Sequence, residues 1–512
     1  MADSKAPARV AWTTRSAFIL AATGSAVGLG NIWKFPYMAG ANGGGAFVAV
    51  YLLCIIMVGL PIMTAEVMLG RRGGMSPISS MRKLARDSGV SSRWAWVGGL
   101  GALSGFLLLT FYTVIGGWVL FYIAKMASGS LQGATTVEAQ QALSDLLGNP
   151  WMVLAGHTLF MVMTLWVVGR GIHKGIERSA RVLMPILFVL LIVLFGYAMT
   201  SPGFGEAVRF LFSFDFSKIS GSSVIAAVGH SFFTLSIGLG AIMAYGAYMP
   251  RETINPRTGK RTPVSIGSTV LLVGVLDTVV ALVAGLVIFP VVFAHGLAPG
   301  EGPGLLFVTL PVALSDVLGG MWVGTAFFVL VLCAAWTSSI SIAEPPVAWL
   351  TEKGISRPKA SLMVGAAAWV VGLGTVFSFN LGSGYTLFGM NFFELLDFVS
   401  VNIMLPLGGF LIAIFAGWVL KETHARKELN MKSFGIYMVW RAMVRIFSPL
   451  ALVLLVVFSL WKALAGEPVA APEPELAPAI EQPALEQPEG EELPPPDVPA
   501  VDSVGELLPE SE

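Results

Sequence analysis

Five oxygen-bearing side chains interrupt stretches of the sequence that are otherwise strongly apolar, and they carry the clearest chemistry. Asn31, Thr234, Thr337 and Ser338 have neutral oxygens, and Asp277 has a carboxylate. Such oxygens are the ligands that a hard cation prefers. An unpaired carboxylate inside a membrane is costly, so Asp277 should face a cation or a polar partner. Serine and threonine hydroxyls can also bond back to their own helix, but the set as a whole favours a site for an alkali cation such as sodium.

Two glycine-containing segments lie next to these side chains. Gly28-Leu29-Gly30 precedes Asn31, and Gly238-Leu239-Gly240 follows Thr234 and Ser236. Glycine costs roughly 1 kcal/mol relative to alanine inside a helix, so two glycines within three residues favour local unwinding. Unwound backbone frees carbonyl oxygens that can bind a cation. A Gly-x-Gly pair can also indicate only close helix packing, but the neighbouring polar side chains favour binding.

The composition is that of a polytopic membrane protein. The chain is 55% hydrophobic and 12% charged, whereas about a quarter of the residues in soluble proteins are charged. Apolar runs repeatedly reach the roughly 20 residues that a helix needs to cross a bilayer, and their length favours helices over barrel strands. No signal peptide with a small-residue cleavage site is expected before the first run. Both cysteines lie within apolar runs, so neither a disulfide framework nor a cysteine metal site is indicated.

The apolar runs predict eleven membrane-spanning helices and a membrane orientation. The predicted spans lie at about 11–38, 43–70, 94–126, 150–168, 180–200, 221–248, 264–293, 321–350, 359–378, 392–420 and 434–462. Basic residues cluster after every even-numbered span, from Arg71 and Arg72 after the second to Lys421 and Arg426 after the tenth. The positive-inside rule therefore places the N-terminus in the cytoplasm and the C-terminal tail outside.

Three segments follow from this pattern. Residues 1–10 form a cytoplasmic N-terminal segment and 11–462 a transmembrane domain, while the acidic, Pro/Glu-rich tail at 466–512 has no Lys, Arg or aromatic residue and should be disordered. Arg441 and Arg445 fall inside the eleventh span, so an alternative is that Phe434–Arg445 lies in the interface and the crossing begins near Ile446.

The two glycine segments also indicate an internal repeat. They lie in the first and sixth spans, and five spans is an odd number, so the second copy must run upside down relative to the first. Paired interrupted helices in corresponding halves are typical of inverted-repeat transporters with a site at the bilayer midplane. The repeats would cover about 11–200 and 221–420, leaving an eleventh helix at about 434–462. Nucleotide binding is a poor alternative, because Asn42–Gly45 has neither a Walker lysine nor a preceding strand, and no nucleic-acid partner is expected.

Several separate motifs resemble one transporter family in the right order. The motifs are Gly24–Asn31, Ile32–Pro36, Asn42–Phe47, Phe232–Ser236 and Thr337–Ser339. Together they resemble the neurotransmitter:sodium symporters of the bacterial LeuT type, over about Arg9 to Trp461. The resemblance implies an all-α membrane protein with a LeuT-like 5+5 inverted repeat, in which helices 1 and 6 are unwound at mid-membrane, and it implies sodium-coupled symport.

The resemblance also implies two sodium sites. The first would use Ala26, Asn31, Thr234 and Asp277. The second would use Gly24, Val27, Ala334, Thr337 and Ser338. At the position of Asp277 the best-known bacterial member has asparagine and keeps a glutamate where this chain has Ala281. We therefore expect Asp277 to supply the missing negative charge and to make transport independent of chloride.

The same resemblance outlines a substrate site. The substrate carboxylate would meet backbone amides at Leu29 and Gly30 and the hydroxyl of Tyr112, and its ammonium would meet carbonyl oxygens around Ala26 and Ser236. The predicted binding residues are Ala26, Gly28, Leu29, Gly30, Leu108, Tyr112, Phe233, Thr234, Ser236, Leu239, Ser338, Ser339 and Ile342. Amine transporters of the family have an aspartate at the position of Gly28, so an amino acid is favoured over a monoamine. The pocket contains no charged residue, which favours a neutral amino acid.

Two gates complete the implied machinery. Lys34 would pair with Asp397 at the outer side. Arg9 would pair with Glu352 at the inner side, near Trp12 and Tyr248. Two further buried acids, Glu66 and Glu344, are expected to satisfy backbone groups around the breaks.

These features together predict sodium-coupled uptake of neutral, hydrophobic amino acids through a bacterial inner membrane. Two alternatives remain open: a sodium-coupled carrier of an osmolyte or ω-amino acid, and a non-transporting amino acid sensor that signals through the tail. An enzyme is the weakest hypothesis, because the five histidines are scattered and form no metal-binding spacing.

Overall fold

The computed structural model describes residues 11–254, 259, 261–296, 304–315, 319–431 and 433–465, and these residues are mostly helical. The predicted N-terminal segment at 1–10 and the acidic tail at 466–512 lie outside the described residues. In chain order the helices are α1 (Arg15–Ala26), α2 (Gly30–Ala41), α3 (Gly45–Gly73), α4 (Pro77–Asp87), α5 (Ser92–Ala127), α6 (Thr136–Gly148), α7 (Pro150–Gly169), α8 (Ile172–Ala198), α9 (Phe204–Phe212), α10 (Gly221–Thr234), α11 (Ala241–Ala247), α12 (Ile266–Ala294), α13 (Leu305–Ser315), α14 (Gly320–Glu352), α15 (Arg357–Ser378), α16 (Phe392–Val419), α17 (Glu422–Leu429) and α18 (Phe434–Ala465).

Nine of these helices, within the described residues, are long and apolar enough to cross a membrane: α3, α5, α7, α8, α12, α14, α15, α16 and α18. Their ends lie close to the predicted ones, except that α8 begins at Ile172 rather than near residue 180. The pair α1 and α2 qualifies as a tenth crossing, bent by 51° at its break. The predicted sixth span is divided into α10, of 14 residues, and α11, of 7 residues, which are each too short for a crossing. The count of eleven therefore stays a prediction.

Arg441 and Arg445 lie within one continuous helix. α18 runs from Phe434 to Ala465 through both residues. Arg441 forms an ion pair with Glu422, and the Arg445 guanidinium donates to the carbonyl oxygen of Gly417. These partners allow both charges to remain in the helix. The helix is continuous, and where along it the crossing begins stays a prediction.

Short elements that the apolar pattern did not predict lie between the long helices. They are α4, α6, α9, α13 and α17, together with a hairpin of β1 (Glu252–Ile254) and β2 (Arg261–Pro263), in which Thr253 is opposite Thr262. Local side chains define several helix ends. Thr14 accepts a hydrogen bond from Ala17 N at 3.1 Å at the start of α1, which is an N-cap.

The core brings the two interrupted spans together against two long helices. α14 packs along α5, α8 and α1, and α11 packs on α3. A Cβ atom at Gly101 of α5 would lie 3.0 Å from Gly240 N and 3.1 Å from Gly238 O. Glycine permits this close approach, because a Cβ atom at position 101 would force the neighbouring backbone to shift. The sixth-span break is thus held directly against α5.

Candidate functional site

The break in the first span exposes backbone groups at the centre of the helical core. α1 ends at Ala26, and Val27 adopts an extended conformation with φ −71° and ψ 101°. Beyond this point two amides find partners outside the helix: Gly28 N donates to Asn31 Oδ1 at 3.0 Å, and Leu29 N donates to Tyr112 Oη at 3.4 Å. The helix therefore stops where the glycine pair predicted unwinding.

The break in the sixth span covers residues 235–240. Ser236, Gly238 and Gly240 have positive φ values of 53°, 84° and 72°, which glycine adopts at little steric cost. A Glu66 carboxylate oxygen accepts a hydrogen bond from Gly238 N at 3.3 Å. Glu66 thus has the backbone-supporting contact expected of it.

Two residues predicted for the first sodium site, Asn31 and Thr234, bond to the carboxylate of a third, Asp277. Asn31 Nδ2 donates to Asp277 Oδ1 at 2.7 Å, and Thr234 Oγ1 lies 3.1 Å from Oδ1 and 3.2 Å from Oδ2. All three side chains are buried, and Asp277 has no ion pair with any residue that the structure describes. Ala26, the fourth predicted member, lines the adjacent cavity. A buried carboxylate without a cationic side chain is suited to binding a cation.

The residues predicted for the second sodium site also lie together. Ser338 Oγ is 3.4 Å from the carbonyl oxygens of both Gly24 and Val27. A Cβ atom at Gly24 would be 3.1 Å from Thr337 Cβ, so α1 and α14 touch here. The Thr337 hydroxyl bonds to its own helix, at 3.1 Å from Ala334 O, which is the local bonding that such side chains can always make.

A small cavity lies between the two breaks. It has a volume of about 20 Å³, which is close to the smallest space that can hold a water molecule. Its lining residues are Ser25, Ala26, Gly28, Leu29, Gly30, Leu108, Tyr112, Phe233, Ser236, Leu239, Ser338 and Ile342. These include eleven of the thirteen residues predicted to bind substrate, and none is charged. The walls must therefore separate to admit a molecule the size of an amino acid.

Two predicted binding residues do not line this cavity, and one lining residue was not predicted. Ser339 Oγ donates to Trp336 O at 2.9 Å and lies 2.9 Å from Thr164 Oγ1, so it faces α7 instead. The physical reason is that successive helical residues are rotated by about 100°. Because Ser338 lines the cavity, Ser339 is turned away from it. Thr234 is directed to the carboxylate site. Ser25 was missed, although its position directly before Ala26 at the end of α1 could have indicated it.

A larger cavity of about 350 Å³ lies outside the small one. Lys34, Asp397 and the buried His230 contribute to its lining. Lys34 and Asp397 are both described, and they form no ion pair, so the closed outer gate expected from the sequence differs from the structure. Lys34 Nζ lies instead 4.6 Å from the centre of the Phe233 ring. Because the space between α2 and α16 is open here, the two charges remain separate, and the Phe233 ring lies between the two cavities.

The opposite side of the protein is closed by contacts around Trp12. This side chain is 2% exposed, and its indole nitrogen donates to Tyr245 O at 3.1 Å. Its backbone N–H donates to Tyr248 O at 2.9 Å. Glu352, the expected partner of Arg9, accepts hydrogen bonds from Ser76 N and Oγ at 2.5 and 2.6 Å. Arg9 itself lies outside the described residues.

Glu344 has a different role from the one expected. Instead of bonding to backbone groups near a break, it accepts a hydrogen bond from Tyr248 Oη at 2.9 Å and forms an ion pair with Arg357. Its side chain is fully buried, and a buried charge needs such a partner. The pair joins α14 to α15 and to the end of α11.

Side-chain and backbone oxygen atoms therefore surround the cavity between the two breaks. In the part of the chain that the structure describes, no cluster of three or more His, Cys, Asp or Glu side chains could hold a metal ion. The profile of the sodium:neurotransmitter symporter family matches residues 9–138 and 135–469. The chain belongs to this family. The predicted family and LeuT-type fold class are confirmed.

Relatives of the symporter cover nearly its whole length. It is 38% identical over 451 residues to the uncharacterized sodium-dependent transporter YhdH of Bacillus subtilis, covering 87% of this chain and 96% of the relative. It is 34% identical over 459 residues to an uncharacterized sodium-dependent transporter of Haemophilus influenzae, covering 88% and 97%. Among solved structures it matches MhsT in complex with L-phenylalanine, at a TM-score of 0.79 and 40% identity, covering 88% of this chain and 99% of MhsT. The chain is a sodium-dependent membrane transporter and not an enzyme.

Proposed function

We propose that this symporter carries neutral, hydrophobic amino acids into the cell together with sodium. The observation that carries the proposal is the uncharged cavity between two helix breaks, directly beside the Asn31–Thr234–Asp277 cluster. An ionic substrate side chain would enter this cavity without a partner, at a considerable desolvation cost. The crystal structure of the 40% identical MhsT with L-phenylalanine supports the same class of substrate.

The backbone around the cavity suits the two ends of a zwitterion. The N-terminal end of α2, at Gly30, has positive partial charge and would attract the substrate carboxylate, assisted by the Tyr112 hydroxyl. The C-terminal ends of α1 and α10 have negative partial charge and would attract the ammonium group. Gly28 leaves no side-chain carboxylate in this space, so the substrate itself must bring one. An amino acid meets both requirements.

Two sodium ions would bind beside the substrate. The first would lie at Asp277, with Asn31 and Thr234, and would be completed by the Ala26 carbonyl and the substrate carboxylate. Since Asp277 would supply a negative charge with which no described cationic side chain pairs, a chloride ion would not be needed for charge balance. Transport should therefore be independent of chloride.

The second ion would lie between the unwound end of α1 and α14. The carbonyl oxygens of Gly24, Val27 and Ala334 and the hydroxyls of Thr337 and Ser338 would be its ligands. This ion would tie the first break to α14, so its departure would loosen the inner end of α1. Such a coupling is what lets a sodium gradient drive uptake.

Alternating access would use the asymmetry between the two sides of the protein. Trp12, Tyr248 and the Glu344–Arg357 pair close the inner side, whereas Lys34 and Asp397 are separated in the open outer cavity. Binding of substrate and sodium would draw the outer side closed, and Lys34 would then approach Asp397. We place the transporter in a bacterial inner membrane, with its N-terminus in the cytoplasm and its C-terminal tail outside.

A binding screen tests the proposal. Each of the twenty amino acids, and betaine as a representative osmolyte, competes with labelled phenylalanine for the purified protein in sodium buffer. We expect competition from aliphatic and aromatic amino acids, and none from charged amino acids or betaine. Strong competition by betaine with none by leucine or tryptophan would instead favour an osmolyte carrier. Uptake into proteoliposomes by protein truncated at Gly466 would exclude a sensor that signals through the tail.

A further inference from the structure

One serine in the sixth-span break has a backbone conformation that serine seldom adopts. Ser236 has φ +53°, in the left-handed region. A non-glycine residue is disfavoured there because its Cβ atom approaches the following carbonyl oxygen. The nearby Gly238 and Gly240 adopt positive φ without this penalty. A contact of the Ser236 side chain must therefore compensate for this backbone strain.

The Ser236 hydroxyl binds a carbonyl oxygen that the other break has set free. Ser236 Oγ donates to Ser25 O at 2.6 Å, and both residues are buried. In an unbroken helix Ser25 O would accept from the N–H of Leu29. Leu29 N is instead directed to Tyr112 Oη, at 3.4 Å. A direct hydrogen bond thus joins the break of the first span to the break of the sixth.

This hydrogen bond also affects which oxygens Ser338 faces. Ser338 Oγ lies 3.4 Å from each of three carbonyl oxygens, those of Gly24, Ser25 and Val27, and a hydroxyl has one proton to donate. Because Ser236 already donates to Ser25 O at 2.6 Å, the Ser338 proton can go to Gly24 O or Val27 O, which lie at the same distance from Ser338 Oγ. Without Ser236 it would be drawn to Ser25 O, since a buried carbonyl without a partner is unfavourable.

We propose that Ser236 is a positioning residue for the second sodium site, whose hydroxyl ties the two breaks together and keeps the Ser338 oxygen at Gly24 and Val27. The inference rests on the proposed function, since it assumes that Ser338 binds sodium there. Ser236 acts on the ion through Ser338, so its loss lowers sodium affinity even when no substrate is bound. The strain of the left-handed backbone and the gain from one hydrogen bond are of similar size, so the effect on folding is small.

Sodium titrations of three variants test this inference. Ser236→Gly removes the hydroxyl and the backbone strain, whereas Ser236→Ala removes the hydroxyl and keeps the strain. The matched control is Ser231→Ala, because Ser231 is a buried serine of α10 whose hydroxyl donates to its own helix, at 2.7 Å from Val228 O. The readout is the concentration of radioactive sodium ions that gives half-maximal sodium binding to the purified full chain without substrate, because Ser236 also lines the proposed substrate cavity.

We expect both Ser236 variants to raise this concentration about 3- to 10-fold, the effect of one net hydrogen bond. Ser231→Ala should stay within about twofold of wild type. In a double-mutant cycle, Ser236→Gly and Ser338→Ala should be non-additive, because both act on one oxygen cluster.

Three results would overturn the inference. In the first, Ser236→Gly matches wild type and only Ser236→Ala is impaired, which would assign the effect to the backbone. In the second, folded yield falls while the half-saturating sodium concentration stays constant, which would indicate a structural role alone. In the third, the cycle is additive. If Ser236→Ala fails to fold, the unstrained Ser236→Gly variant is compared with wild type instead. Wild-type protein that binds no sodium would instead refute the proposed function itself.

Discussion

Replacement of Asp277 by asparagine removes one charge from the proposed sodium site and changes little else. The side chain is fully buried and accepts hydrogen bonds from Asn31 Nδ2 at 2.7 Å and Thr234 Oγ1 at 3.1 Å. Asparagine has the same shape and retains one oxygen at this position. It can therefore keep the hydrogen bond from Asn31 while losing the negative charge that no described cationic side chain balances.

The magnitude follows from the distance between a bound ion and the carboxylate. Coulomb's law gives roughly 5 kcal/mol for unit charges about 3 Å apart at an effective dielectric constant of about 20. The amide oxygen of asparagine remains a ligand, and a neutral side chain avoids the cost of burying a charge. We expect a net loss of about 2–3 kcal/mol, which corresponds to a roughly 30- to 150-fold higher half-saturating sodium concentration.

The assay is equilibrium binding of labelled phenylalanine to purified Asp277→Asn protein across a sodium series at constant ionic strength. The control is Asp215→Asn, at an exposed position where hydrogen bonds from Ser217 lower the pKa of the carboxyl, so that a charge is again removed but far from the cavity. A sodium dependence of Asp277→Asn within twofold of wild type would show that the carboxylate is not a sodium ligand.

Three further predictions concern chloride, the cavity and the inner closure. Replacing chloride by gluconate should leave uptake unchanged, because Asp277 supplies the negative charge. Gly28→Ala should weaken substrate binding at least about tenfold, because the added Cβ atom would lie 2.6 Å from Ser338 Oγ. The control is Gly196→Ala, because Gly196 has open space around it. Glu344→Gln should destabilise the protein by about 3 kcal/mol, because Arg357 loses its counter-charge, and thermal unfolding measures this.

Each of these predictions has a contrary outcome. Uptake that disappears in gluconate would make chloride a required ion. Wild-type affinity in Gly28→Ala would mean that the cavity between the breaks is not where the substrate binds. A melting temperature for Glu344→Gln equal to that of Glu206→Gln, an exposed control, would mean that the Glu344–Arg357 pair does not stabilise the closed side around Trp12.

The features that could be predicted from the sequence are those that local composition determines. Apolar runs located the long helices because a bilayer crossing needs a fixed number of apolar residues. Glycine pairs located both breaks because glycine weakens a helix wherever it occurs. The family motifs then brought Asn31, Thr234 and Asp277 to one site, although they are distant in the chain.

The features that could not be predicted depend on helix rotation and on conformational state. Thr337-Ser338-Ser339 is a run of three hydroxyls, and the sequence does not specify which of them faces the cavity; the structure turns Ser339 toward α7. The distance between Lys34 and Asp397 depends on how α2 and α16 pack, which the motifs do not specify. Glu344 finds Arg357 across a turn between two helices, and this packing has no signature in the apolar pattern.

The most direct test of the central claim is uptake into proteoliposomes that contain the purified full-length protein. An inward sodium gradient should drive accumulation of labelled phenylalanine above the external concentration, and an ionophore that dissipates the gradient should abolish it. Accumulation that is equal with a potassium gradient, or that persists after the sodium gradient has collapsed, would contradict a transporter in which sodium and an amino acid bind together between two helix breaks.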